Sequence, residues 1–425
     1  MPPPGRTRRC LALLAAATTG LAVLTAGATA HADTDPAATD TAATGTADFY
    51  TPPSPLPEGR PGDVIRSEPS EFFLDPVQLI RPAADVYRVM YRSTDTHGEP
   101  MAVTGTVLVP HAEWRGDGDR PLVSYAPGTQ GVGDHCAPSK LLRLGLEYEG
   151  PFLSGLLALG YAVVITDYEG LGTPGMHTYV NRASEGHAVL DAARAALRLP
   201  EAGLSPETPV GLAGYSQGGG ASAAAAELRG EYAPELDVKG AYAGAPPADL
   251  AEVAPALDGH YAAGFLAFSL LSIEAAYPQV DLDDVLNDDG RRVLDEASDD
   301  CTADAILHHA FQRTDDLTLD GRPLEEYLNE EPFASVVAEQ RIGERTPDVP
   351  VFILHSRLDD IVPYAQGRQL AVDWCEQGAT LTFRTSYVPS HIGGMLRAYP
   401  EAVAWLAARF DGDPAASNCG RVLGA

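Results

Sequence analysis

The sequence predicts an α/β protein: a mostly parallel central sheet flanked by helices, with an inserted helical cap. Three observations carry this. Short apolar runs bounded by turn residues recur along the chain, as strands buried on both faces require. Helical patterns separate these runs, and strand–helix alternation builds parallel sheets wrapped by helices. Between residues 247 and 345 the rhythm gives way to helix-forming stretches, and it resumes at Val349-Pro350-Val351-Phe352-Ile353-Leu354.

The first residues are read separately. Arg6, Arg8 and Arg9 precede an apolar stretch from Leu11 to about Ala28, followed by small residues. That order describes a secretory signal peptide over 1–32, cleaved after Ala30 or Ala32, and a secreted, extracellular protein. No later segment is an uninterrupted apolar run of membrane length, so no stable membrane anchor is expected. Residues 33–65, rich in Ala, Thr, Asp, Pro and Gly, read as a flexible arm.

Structure is expected to begin near Phe72. Val86 to Tyr91 and Met101 to Val109 alternate as antiparallel strands do. Leu122–Ala126, Ala162–Asp167, Pro209–Ala213, Val238–Ala243 and Val351–His355 read as buried strands. Helical patterns cover Leu141–Leu159, Ser184–Leu199 and Ser216–Leu228. The core is therefore divided, 66–246 and 346–425, around a cap or lid at 247–345. That cap carries the apolar run Tyr261 to Leu271.

The whole chain has a net charge of −30, and losing the three arginines of residues 1–32 makes the remainder more negative by three. Such a field repels nucleic acid and anionic membrane surfaces and favours a neutral substrate. Removing Cys10 with the leader leaves Cys136, Cys301, Cys375 and Cys419. An even count in an exported chain suggests two disulfides, and four thiols allow three pairings. We expect Cys136–Cys301 and Cys375–Cys419, the second tying the tail to the last helical hairpin. None of them has the spacing of a zinc site, and no metal or cofactor is expected.

The chemistry centres on Gly214-Tyr215-Ser216-Gln217-Gly218, which matches G-x-S-x-G after a strand and before a small-residue helix. A serine hydroxyl is a weak nucleophile and needs presentation at a tight turn where a base can reach it. His391, on a loop after the apolar stretch Leu381 to Val388, is the candidate base. The acid belongs between them in chain order, and Asp359 is preferred to its neighbour Asp360. His355, at a strand end, reads as a structural hydrogen-bonder. His308-His309 reads as a solvated helical face with nothing to support a metal. His97, His111, His135, His177, His187 and His260 show no partner in sequence. Acyl transfer also needs backbone donors for an oxyanion. Gln217, after the nucleophile, and Gln130, on the loop Pro127-Gly128-Thr129-Gln130-Gly131, are the candidates.

Taken together these residues resemble the secretory lipase family, the lipase A type of the α/β-hydrolase superfamily, from about Phe72 to the C-terminus. The resemblance rests on Gly128-Thr129-Gln130-Gly131, Cys136-Ala137-Pro138-Ser139, the Ser216 pentapeptide, Asp359-Asp360-Ile361-Val362-Pro363-Tyr364 and His391. It implies triad roles for Ser216, Asp359 and His391, an oxyanion hole at Gln130 and Gln217, and a cap that shapes an acyl-binding tunnel. It also supports the Cys136–Cys301 bridge. One departure is visible: fungal-type members carry an acidic residue where Gln130 stands. The expected activity is cleavage of neutral carboxylic esters, foremost acylglycerols, in lipid catabolism, with contact to a lipid interface. The rivals are a short-chain carboxylesterase or acyltransferase on the same scaffold, and a catalytically inactive secreted binding protein. The oligomeric state is not readable from the sequence.

Overall fold

A single nine-stranded sheet organises the chain, in the order β1-β2-β3-β5-β4-β6-β7-β8-β9. The computed structural model describes residues 48–424, and the compact unit begins at Tyr50. The expected signal peptide over 1–32 and residues 33–47 of the expected arm lie outside the described residues. The strands are β1 (Val64–Pro69), β2 (Ala84–Thr94), β3 (Pro100–Pro110), β4 (Leu122–Ala126), β5 (Ala162–Thr166), β6 (Val210–Tyr215), β7 (Val238–Gly244), β8 (Val351–Ser356) and β9 (Leu381–Ser386). Pairing is antiparallel from β1 to β5 and parallel from β5 through β4 to β9.

Strand periodicity divides the core. On one face Leu122, Ala126, Val164, Leu212, Ala241 and Ile353 pack against α3 (Arg182–Arg198), α4 (Gln217–Tyr232) and α11 (Tyr364–Glu376). On the other, Val123, Tyr125, Ile165, Ala213, Tyr242 and Leu354 meet α1 (Pro138–Leu144), α2 (Gly150–Ala158) and α12 (His391–Phe410). Alternate residues thus feed two apolar layers, which is why β4, β5 and β6 are apolar without a polar face.

Between β7 and β8 the chain is helical. It contains α5 (Leu250–Leu257), α6 (Gly264–Ala276), α7 (Asp288–Ala297), α8 (Thr302–His308), α9 (Leu324–Tyr327) and α10 (Phe333–Glu339). These helices share their own apolar cluster, built around Phe265, Phe268, Leu282 and Val336. The cluster also takes in Val132, Tyr179, Ile361 and Val362 from the sheet's loops. The last helix, α13 (Cys419–Leu423), packs on α11.

Three expectations are corrected. The arm does not run loose to residue 65. Pro57 and Pro61 carbonyls accept hydrogen bonds from Arg92 and Arg198, Gly62 N–H donates to the Arg92 carbonyl, and β1 starts at Val64. The single helix over Leu141–Leu159 is two, because Gly145 turns left-handed at φ 68° and caps α1. Regular structure precedes Phe72, since the polar strand β1 adds to the sheet edge.

Candidate active site

Ser216 stands between β6 and α4 at φ 62°, ψ −126°, a region that costs a non-glycine residue about 1–3 kcal/mol. Its neighbours hold it there. The Ser216 N–H donates to the Gly244 carbonyl at 2.9 Å, and its carbonyl accepts from Gly220 N–H at 3.0 Å. The glycines of the pentapeptide are dictated by close approach. A Cβ on Gly214 would lie 2.1 Å from the Gly218 carbonyl oxygen, and one on Gly218 2.0 Å from that of Ala126. The side chain of Ser216 is half-buried, beside the positive end of α4.

His391 is the first residue of α12 and is fixed from three sides. Its N–H donates to Asp360 Oδ1 at 2.7 Å, its carbonyl accepts from the Tyr215 hydroxyl at 2.9 Å, and the Tyr215 ring packs 4.9 Å away. Its Nδ1 lies 2.8 Å from Asp359 Oδ2 and 2.9 Å from Oδ1. Asp359 Oδ1 also accepts from the N–H groups of Ile361 and Val362, at 3.0 and 2.9 Å. Burial works to raise the Asp359 pKa. Interactions with His355 and His391 outweigh it and hold the carboxyl well below the usual carboxylate range. His355 donates from Nε2 to the Val362 carbonyl at 3.0 Å and stands 3.5 Å from the carboxylate, a structural position.

An Nδ1–H committed to Asp359 leaves His391 Nε2 as the basic nitrogen. That atom is buried and without a hydrogen-bond partner among the described residues. The structure therefore brings Asp359 and His391 into contact and seats Tyr215, the residue before Ser216, against the imidazole. It does not form a hydrogen bond between Ser216 and His391. Catalytic contacts are commonly long before substrate binds.

Gln130 lies on the loop after β4, its carbonyl accepting from Thr302 N–H at 2.9 Å and its Nε2 donating to Glu147 at 3.1 Å. The backbone N–H groups of Gln130 and Gln217 donate to no group among the described residues. Gly128 and Gly131 are required by crowding. A Cβ on Gly128 would lie 2.4 Å from the Tyr148 hydroxyl, and one on Gly131 2.4 Å from the Asp300 carbonyl oxygen.

A profile of the secretory lipase family matches residues 136–418. The chain belongs to the secretory lipase family. It is 34% identical over 379 residues to a probable inactive lipase of Mycobacterium tuberculosis, covering 86% of this chain and 82% of that one. It is 30% identical over 387 residues to a secreted triacylglycerol lipase of Malassezia globosa, covering 87% and 80%. Among solved structures, lipase A of Candida antarctica superposes with a TM-score of 0.77 at 26% identity, covering 88% of this chain and 87% of that one. These neighbours and the nine-stranded sheet make the fold that of an α/β-hydrolase.

Around the candidate site of this secretory lipase family member lie groups that the sequence did not disclose. The Gln217 side chain donates from Nε2 to Glu185 at 2.7 Å and to His177 Nε2 at 3.0 Å, while His177 Nδ1 donates to the Glu169 carbonyl. Burial pushes His177 down to about 4 and Glu185 up to about 8. Both are neutral near pH 7, which suits their lack of counter-charges. On the other side Glu149 accepts from the Tyr125 and Tyr399 hydroxyls and from Gly128 N–H. Burial, then the adjacent Glu149 charge, raises Glu147 to about 8. The only sequence signal was two acids, Glu147 and Glu149, in an otherwise apolar run.

Two disulfides are present, Cys136–Cys301 and Cys375–Cys419. The first joins the segment after the Gln130 loop to the start of α8. The reading of His308-His309 as a solvated face is corrected. Only His308 is exposed, because the chain leaves α8 at His309 and turns that ring inward, to 4% exposure. No helix among the described residues is long and apolar enough to cross a membrane.

Proposed function

We propose that this chain is an exported, cofactor-free serine hydrolase of neutral carboxylic esters, foremost acylglycerols. Ser216 attacks the ester carbonyl as His391 Nε2 takes its proton. The developing oxyanion is received by the backbone N–H groups of Gln130 and Gln217. His391 returns the proton to the leaving alcohol, then activates water to release the acid, while Asp359 holds the Nδ1–H tautomer. The observation that carries this reading is the Asp359–His391 Nδ1 contact, which leaves a free buried Nε2 beside the strained Ser216 turn.

Two features favour a lipid-like acyl substrate. Residues 247–345 are proposed as the cap, and their apolar cluster reaches the sheet's loops. Val77, Leu79, Ile80, Leu144 and Leu146 form an exposed apolar rim. The loop bearing the first three joins the end of α1 through Gln78 and the Arg143 carbonyl, and Tyr148 beyond it reaches the Thr129 carbonyl. Such a rim suits contact with a lipid surface.

The name of the Mycobacterium tuberculosis relative motivates an opposed reading, an inactive scaffold. Labelling by a fluorophosphonate decides between them. The proposal expects stoichiometric labelling that Ser216→Ala abolishes, and an unlabelled wild-type chain would overturn it. A panel of p-nitrophenyl esters of rising chain length, with and without a competing alcohol, then separates lipase, esterase and acyltransferase.

A further inference from the structure

In the helical insertion, Asp300, His308 and His309 hold three potential ligand atoms within 4.8 Å of one another. Asp300 is 7% and His309 4% exposed, while the His308 side chain is 57% exposed and leaves one approach open to solvent. His308 Nδ1 lies 3.2 Å from Asp300 Oδ1, and His309 Nε2 lies 3.2 Å from Oδ2.

The second distance is informative because it is not a hydrogen bond. His309 Nε2 is buried and unsatisfied even though a carboxylate oxygen stands 3.2 Å away, since the two atoms are not aligned to share a proton. A buried nitrogen left without a partner is destabilising, and a bound ion would satisfy it. His308 Nδ1 does hydrogen-bond to the Asp300 carboxylate, so it is the buried His309 nitrogen, close to the same carboxylate and without a proton to share, that suits a metal ligand. Metal–ligand bonds of about 2.0–2.2 Å at tetrahedral angles separate neighbouring ligand atoms by about 3.4 Å. The observed spacing is close to that edge.

We propose that Asp300, His308 and His309 bind one divalent transition-metal ion, Zn²⁺ foremost, with water at the open position. Two imidazoles and one carboxylate suit zinc and its neighbours, not the all-oxygen demands of Ca²⁺ or Mg²⁺. The backbone prepares the site. Asp300 is held by Val132 N–H on its carbonyl at 3.0 Å and by the neighbouring Cys136–Cys301 bond. His308 and His309 follow from the end of α8. The ion clamps both ends of α8 together. Because Thr302 N–H also donates to the Gln130 carbonyl, it stiffens the junction with the candidate oxyanion loop. That last consequence alone rests on the proposed hydrolase reading.

The test uses the tag-free mature protein stripped with chelator and then titrated with Zn²⁺ in a calorimeter and with Co²⁺ in a spectrophotometer. The expected result is one ion per chain, a visible Co²⁺ band of tetrahedral type, and a rise in Tm on adding Zn²⁺. His308→Ala changes an exposed side chain, so the fold is retained. It should weaken binding by at least about 10-fold, the lower end of what loss of an outer-sphere partner alone costs. Asp300→Asn should do the same. His135→Ala, which removes the exposed imidazole near Asp299, should leave binding unchanged. No stoichiometric binding, equal affinity in His308→Ala, or loss in His135→Ala would overturn the proposal. None of these readouts depends on ester hydrolysis, so the hydrolase reading stands or falls separately.

Discussion

Replacing Asp359 by Asn tests which of two adjacent carboxylates serves His391. In the wild type, Asp359 Oδ1 accepts from two backbone N–H groups, and Oδ2 stands 2.8 Å from His391 Nδ1. An asparagine can keep its carbonyl on the backbone donors, so the loop survives and stability falls by no more than about 1–2 kcal/mol. Its NH₂ then faces Nδ1, and two donors cannot share that contact. The imidazole relieves the clash by carrying its proton on Nε2, where it can no longer accept one from Ser216. The corresponding change in Ser-His-Asp triads lowers kcat about 10⁴-fold, or about 5.4 kcal/mol of transition-state stabilisation. Asp360→Asn is the control. Asp360 accepts from the His391 backbone N–H, a role an amide oxygen retains, and a loss within about 10-fold is expected. The assay is kcat on a soluble p-nitrophenyl ester, with the labelling rate by a fluorophosphonate and a thermal melt on each variant. Near-normal kcat in Asp359→Asn, alongside a collapse in Asp360→Asn, would refute the assignment of the acid.

Gly218→Ala places a Cβ 2.0 Å from the Ala126 carbonyl, so the turn must shift. Soluble protein with a lowered Tm and severely reduced labelling at Ser216 is expected, and wild-type labelling would show the turn to be less constrained. Glu185→Gln tests a buried proton. Burial keeps Glu185 protonated to about 8 in the folded state, against the ordinary 4.5 of a glutamate, so the unfolded chain releases a proton first as pH rises. Wild-type stability from this group is therefore complete below about pH 4.5 and declines toward pH 8. The variant should lack that decline, gaining on wild type by up to about 1.4 kcal/mol per pH unit across the window in denaturant melts. A pH-independent difference would contradict it. Removing Cys136 and Cys301 together opens a loop of 165 positions, worth up to about 5 kcal/mol on chain entropy, against about 4 for the 44 positions of Cys375–Cys419. Melts of the two double variants should rank in that order.

What was legible in the sequence was what local pattern determines. Leu122–Ala126 is a strand with the bounds its apolar run suggested, because a central parallel strand has no polar face to blur its ends. The Ser216 turn was legible through its glycines, since the close approach leaves no room for other residues. The failures have equally physical causes. The strand at Val64–Pro69 is polar and half-exposed, and it forms by pairing with β2 and not by burial. The helical pattern over Leu141–Leu159 runs through Gly145, and only that residue's left-handed backbone ends α1. His177 and Glu185 carry no signature because their shared partner, Gln217, comes from a distant segment. The inward turn of His309 depends on where α8 stops.

The covalent tie between Cys136 and Cys301 fastens the helical insertion to the segment that follows the Gln130 loop. Gly131 and Cys301 also meet as a short antiparallel bridge, so the root of the helical insertion and the loop bearing Gln130 travel as one piece. On the proposed hydrolase reading, lifting the whole helical insertion would drag the Gln130 amide away from the Ser216 turn.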